Sequence, residues 1–417
     1  MRRVWFLILP LFVSAQSYSL KNYIENAGRH NQMIHAKTLQ TQAKAKEIDA
    51  AQSDFWPTLD IAATHTMTDP TTVIAPGQSS SALAHLAFDI YDGGRKDAVL
   101  NARSFEYRAS LYEKQAFEKS VTLQIIDSFF TIKKFTATLH ALEKRSVELK
   151  TQIERMEKFT GAGLATSEDV DRLRSAYDNN IYKIESMKLA IEQYRQNLAL
   201  QSGLPAGTLR ENHLMEPRHI RYEAYEKSKI LHAHAKALKE NAKAIESAYI
   251  PHVSVEDSYS LASYSDIEAL PGFPSGGNAF FPEHQNHLSL SASMRLFDNG
   301  KLKKESEAVR YQKLALDSEK IYADKEQRLH FKVSRSRLKT ERSKIKSAKS
   351  ALRAAKSTYG SIKKKYEVGM VDNVTYLDAL TQLTLARARY KETLYDYEIA
   401  KSIYYYYAGK DPKEFVR

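Results

Sequence analysis

The chain has no cysteine in 417 residues. Disulfides, thiolate metal sites, cysteine nucleophiles and lipid attachment through cysteine are therefore excluded. Glycine and proline are scarce, at 15 and 11, which favours long uninterrupted elements over a loop-rich enzyme. No window holds 18 consecutive apolar residues, so no segment is long enough to cross a bilayer as a helix, which needs about 20. Phosphate loop, serine nucleophile elbow and zinc-helix signatures are all missing. No enzymatic activity, cofactor or metal is expected. Acidic residues are outnumbered, 50 to 62, leaving a formal charge of +12. Such an excess suits nucleic acid or an anionic surface, but no nucleic-acid module is present. Long helices with mixed, solvated faces account for the charge, and no nucleic-acid partner is expected.

What is present begins with Met1-Arg2-Arg3, the apolar run Val4 to Val13 and then Ser14-Ala15-Gln16. A basic start, a short apolar core and a small residue before a polar one read as a secretory signal peptide over residues 1–15. The mature chain then carries one long duplication. Ile90-Tyr91-Asp92-Gly93-Gly94-Arg95 recurs as Leu296-Phe297-Asp298-Asn299-Gly300-Lys301, 206 residues on. Phe159-Thr160-Gly161-Ala162-Gly163-Leu164 recurs at the same offset as Lys365-Tyr366-Glu367-Val368-Gly369-Met370. Two landmarks with one offset define domain-sized repeats, at 16–207 and 208–417.

Each copy has the same order. A helical stretch (Leu20 to Asp54; Arg221 to Ala248) stops before Pro57 or Pro251. The period then changes to two, predicting strands at about 57–69 and 81–92 in copy one and 251–264 and 285–298 in copy two. In the last of these, Leu288, Leu290, Ala292, Met294 and Leu296 alternate with small polar residues. The copy-two hairpin loop is longer by 12 residues and contains Pro271-Gly272-Phe273-Pro274. A proline-free helical pattern follows, Ala98 to Phe159 and Leu302 to Tyr366, giving rods of about 90 Å at 1.5 Å per residue. Phe135, Leu142, Leu149 and Met156 fall seven apart, with Ile132, Leu139 and Ile153 three residues ahead, an a/d stripe for lateral helix packing. Glycine turns at 160–167 and 367–373 lead into shorter returning helices, Ser167 to Leu200 and Asn373 to about Tyr407.

Exported strands of about ten alternating residues fit a transmembrane β-barrel. Four strands cannot close one, and an open edge is forbidden in lipid, so copies must pool their strands. This order, with the repeated Asp-x-Gly-Arg/Lys element and the Gly163-Leu164-Ala165-Thr166-Ser167-Glu168-Asp169-Val170 and Gly369 turns, resembles the TolC-type outer-membrane efflux protein family over about Leu20 to Gly409. The fold expected is mainly α with a β-barrel contribution. The resemblance implies a homotrimer: a twelve-stranded barrel in outer-membrane lipid, above an α-helical periplasmic tunnel. It would be the exit duct of a tripartite efflux system in a Gram-negative bacterium. The tip turns, with Gly161, Gly163, Leu164, Gly369 and Met370, would dock on a periplasmic adaptor (membrane-fusion) protein linked to an inner-membrane RND or ABC transporter. By position, Tyr366 and Asp378 match the family's constriction, with Asp169 in copy one. Val371 and Thr375 stand where the best-known form has an arginine and a further aspartate, so one aspartate ring is expected. Two other readings remain: the outer-membrane component of type I protein secretion, and a soluble periplasmic coiled-coil scaffold with ordinary strands.

His232 and His234, two apart on a helix, do not share a face. His284 and His287 lie in or near the long loop, and His85 on a strand. No metal site is read from them. Asp169 and Asp171 fit a helix N-terminus better than acid–base catalysis. Tyr404-Tyr405-Tyr406-Tyr407 suits packing around the middle of the tunnel better than an interfacial belt.

Overall fold

Each copy turns from strand to long helix on an aspartate followed by two left-handed residues. Asp92 accepts from the Gly94 and Lys96 N–H groups at 3.2 and 2.9 Å, and Asp298 from those of Gly300 and Leu302 at 2.9 and 3.0 Å. The intervening φ angles are positive: 70° and 83° at Gly93 and Gly94, 56° and 75° at Asn299 and Gly300. Asparagine is one of the few side chains that tolerates this region. Gly93 has a second constraint, since a Cβ there would stand 2.5 Å from the Ser247 carbonyl oxygen.

The computed structural model describes residues 17–72, 74–217, 220–267 and 281–417. The signal-peptide expectation and Pro271 to Pro274 of the long loop lie outside the described residues. The helices are α1 (Leu20–His30), α2 (Gln32–Ser53), α3 (Arg95–Gly161), α4 (Ser167–Ser202), α5 (Glu226–Glu246), α6 (Lys301–Glu367) and α7 (Asn373–Tyr407). The strands are β1 (Thr58–Met67), β2 (Gln78–Asp92), β3 (His252–Ser265) and β4 (His284–Ser293). The long helices α3 and α6 both have 67 residues and begin 206 apart. The first helical stretch is broken once, at Asn31. Its side chain takes the Met33 and Ile34 N–H groups at 3.0 and 3.1 Å and donates to the Gln201 carbonyl at 2.8 Å, ending α1 and capping α2.

The chain divides into two compact units. One comprises Leu39–Tyr112 and Lys229–Ile321 and holds the strands, which form one antiparallel sheet in the order β1-β2-β3-β4. Register sorts its faces. Leu59, Ile61 and Ala63 align with Leu86, Ala84 and Ala82, and these with Asp257, Tyr259 and Leu261. The opposite face carries Asp60 beside His85, then Ser258 and His287. One face is thus largely apolar, interrupted by Asp257 and by Asn286 and His284 of β4, and the other mostly polar. All ten residues of β1 are exposed. β4 stops at Ser293 rather than continuing to 298, so Met294 and Leu296 are not in a strand. Its partner β3 begins at His252, opposite Ser293, and Pro251 has no N–H to extend the ladder. His284 and His287 belong to β4.

The other unit comprises Met1–Thr38, Glu113–Ser228 and Tyr322–Arg417. The a/d stripe of α3 is its core seam: Ile132, Leu142, Leu149 and Met156 are buried, with Phe135, Leu139 and Ile153 packed against them. Across that seam, Asn180 of α4 donates to the Leu142 carbonyl at 2.9 Å and to the Ser146 hydroxyl at 2.8 Å. On α7, Asp396, Glu392 and Thr381 meet Lys134, Thr138 and Arg145 of α3 at 3.1, 3.3 and 3.1 Å. The segment joining the two copies makes two bridges, Leu209 to Tyr18 ahead of α1 and Leu214 to Val416. The tyrosine run packs here. Tyr405 stacks on Phe415 at 3.7 Å, Tyr404 on Phe331 and Tyr407 on His330.

Candidate functional site

Both tip turns close in the same way. Leu164 N–H reaches the Phe159 carbonyl at 2.8 Å and Gly163 N–H that of Thr160 at 3.1 Å; Met370 and Gly369 repeat this on Lys365 and Tyr366 at 2.8 and 3.1 Å. Gly163 and Gly369 take the left-handed φ this cap needs, 71° and 77°. Gly161 does not: it is the last residue of α3, with open space where a Cβ would sit. Thr166 and Asp372 then cap α4 and α7 by accepting from Asp169 N–H and Thr375 N–H. In such a cap the residue after the glycine usually folds back onto the helix. Here Leu164 and Met370 are each 75% exposed, so both tips present an apolar side chain to solvent.

The three residues expected at the constriction are not equivalent. Tyr366 is buried, stacked on Tyr376 at 4.5 Å, with the Arg155 guanidinium 5.4 Å from its ring centre. Arg155 also donates to the Glu367 carbonyl at 3.2 Å. Burial raises the Tyr366 pKa; Arg155 opposes this and the Asp169 charge adds to it. Asp169 is half-exposed and accepts from the Thr166 hydroxyl at 2.9 Å, while its carbonyl takes the Asn373 amide at 3.5 Å. Tyr366 and Asp169 therefore share a neighbourhood. Asp378 stands apart: it is exposed on α7 and has no side-chain hydrogen bond or ion pair among the described residues.

Beside Tyr366 lies a cluster that sequence reasoning missed. Tyr376 is fully buried and donates its hydroxyl to Glu148 Oε1, which also takes Lys363 Nζ at 3.1 Å; the Tyr359 hydroxyl lies 3.4 Å from that of Tyr376. Burial alone would raise the Glu148 pKa, but the Tyr376 and Lys363 hydrogen bonds outweigh it and hold the carboxyl below its usual range. Tyr376 is pushed up, by burial first and then by Glu148. Glu148 and Tyr376 are 228 positions apart, so no local spacing links them. The seven-residue interval from Tyr359 to Tyr366 was the available hint of a second core stripe. Among the described residues no group of three or more His, Asp or Glu side chains is placed to hold a metal ion.

Residues 23–204 and 229–402 match the family model described as outer membrane efflux protein. The chain belongs to the outer membrane efflux protein family. A search of curated proteins returns no match. Among solved structures, a membrane protein from Pseudomonas aeruginosa is similar with a TM-score of 0.82 at 16% identity, covering 94% of this chain and 93% of that one. The CmeC outer membrane channel of Campylobacter jejuni gives 0.82 at 14%, covering 94% and 85%. The outer membrane protein VceC of Vibrio cholerae gives 0.77 at 13%, covering 94% and 96%. At these identities the likeness is one of fold. This efflux protein is an outer-membrane protein, and the tyrosines and lysine of its tip cluster come from the second copy, while Glu148 and Arg155 come from the first. Positions 206 before Tyr366, Tyr376 and Lys363 are Thr160, Val170 and Glu157.

Proposed function

We propose that this protein is the exit duct of a tripartite efflux system, a homotrimer that carries small molecules across the outer membrane. The observation that carries the reading is the open sheet: β1 and β4 are unpaired edges of four strands with one largely apolar face. Exposed edges have no place in lipid, eight strands are the practical minimum for a barrel, and three chains supply twelve. The turns at Gly163 and Gly369, with Leu164 and Met370 outward, suit docking on a periplasmic adaptor that connects to an inner-membrane RND or ABC transporter. Asp378, exposed and unpaired, is the candidate for a carboxylate ring at the constriction, and Tyr366 and Asp169 support the helix ends around it. Such a duct breaks no bonds, so the protein acts without catalysis. Deleting the gene and measuring drug susceptibility tests the reading: sensitisation is expected. Unchanged susceptibility together with loss of a secreted protein would transfer the duct to type I secretion.

A further inference from the structure

The positive charge of this chain is concentrated in one place. From Arg328 to Lys365, α6 has fourteen basic residues and one acidic, a net of +13, more than the whole chain's +12. The acid, Glu341, is buried. Eight of the exposed cations follow a heptad: Lys339, Lys346 and Arg353 are seven apart, and Arg342, Lys349 and Lys356 follow each by three, with Lys332 and Arg335 opening the series. Of these eight, Arg342 alone makes an ion pair among the described residues, with Glu216 at 2.9 Å. Like charges at such spacings destabilise a helix, so the face calls for a partner of opposite charge.

That partner is written on α4. Asp171, Asp178, Glu185 and Glu192 are exposed and seven apart. Among the described residues, the only ion pair they make is that of Glu185 with Lys188 of the same helix, at 2.8 Å. Within one chain the two faces do not meet. At mid-length α3 lies against α4 through Asn180 and the Phe135–Tyr194 ring contact, and against α7 through the Asp396, Glu392 and Thr381 contacts. α7 in turn lies against α6 through Phe331 and Tyr404. The order is α4-α3-α7-α6, and among the described residues no hydrogen bond or ion pair joins α4 to α6. Closing a ring of identical chains brings α6 of one against α4 of the next. α6 runs toward its tip turn and α4 away from its own, so the helices pass antiparallel. Both charge repeats have a rise of about 10 Å, so successive rungs match.

We propose that the cationic face of α6 seats on the acidic face of α4 from a second copy of this chain, forming an electrostatic seam between protomers. This rests on the trimeric reading above. The absence of native cysteine makes the test direct. With Asp178→Cys and Lys349→Cys in the full-length protein in detergent, a short bis-maleimide should link chains covalently into dimers and trimers. In a second arm, the Lys346→Glu/Lys349→Glu/Arg353→Glu variant should lose trimer on mild heating by roughly tenfold, and adding Asp178→Lys/Glu185→Lys should restore it. If the protein sizes as a trimer but neither cross-links nor responds to reversal, the seam is wrong and the trimer stands; the cations then face a lumen or another partner. If the unmodified protein is monomeric, the trimeric reading fails as well.

Discussion

Removing the Tyr376 hydroxyl should loosen the second helical hairpin at its tip. In Tyr376→Phe the ring keeps its place on Tyr366, but Glu148 loses a buried donor and retains Lys363, whose side chain is 37% exposed. A hydrogen bond to a charged group contributes about 1.5–3 kcal/mol. At about 1.4 kcal/mol per tenfold, local opening of α7 should become roughly 10- to 150-fold more frequent. Amide hydrogen exchange over the first turns of α7 reads this directly, with α4 as the internal reference. Glu148→Gln should give a loss of similar direction, and the double variant should cost less than the two singles together, because the pair is one interaction. Strict additivity, or exchange within about twofold of wild type in all three variants, would refute the coupling.

The other expectations concern the turns, pH and the pore. Gly93→Ala should destabilise by at least about 1–2 kcal/mol through its left-handed φ and the Ser247 carbonyl, whereas Asn299→Gly, whose residue already takes that φ, should change thermal stability little. Gly161→Ala should be neutral or stabilising, by up to about 1 kcal/mol, because open space surrounds it. Leu164→Asp combined with Met370→Asp should leave folding and membrane assembly intact, since both side chains are largely exposed, but abolish efflux in a drug-susceptibility assay. Glu148 is held below its ordinary 4.5, so its contribution is complete above that pH and fades as pH falls through the lower folded-state value. Exchange of α7, corrected for intrinsic rate, should be flat down to about 4.5 and rise below it, and Glu148→Gln should abolish the dependence. Asp378→Ala should raise single-channel conductance or weaken divalent block in a planar bilayer.

Much of the architecture was legible because it is periodic. The change of period after Pro57 and Pro251 located the strands, and the seven-residue spacing from Ile132 to Met156 named buried positions. The repeated turn located both long helices to within a few residues. Alternation misled at Met294 and Leu296, where the pattern persists after the partner strand has ended; pairing, not pattern, sets a strand's length. Asn31 escaped notice because a single capping residue does not disturb an amphipathic pattern. At the tips, sequence located the glycine turns, yet Tyr366 is a packed ring. The Glu148–Tyr376 contact joins two copies of a repeat and leaves no trace in either one alone.

The duplication has a consequence for symmetry. A half-length ancestor with one strand hairpin and one helical hairpin would assemble as a ring of six identical parts, every tip bound by the same contacts. Fusing two halves lowers that symmetry to threefold and lets alternate positions diverge. Here Thr160, Val170 and Glu157 stand where the second copy has Tyr366, Tyr376 and Lys363. In the proposed trimer, three hairpins would contribute the tyrosines and three would contribute their Glu148 partner, so the two sets would differ in what holds them. In that trimer, an aperture built this way would have two kinds of wall, which a sixfold ring of identical parts cannot have without breaking its own symmetry.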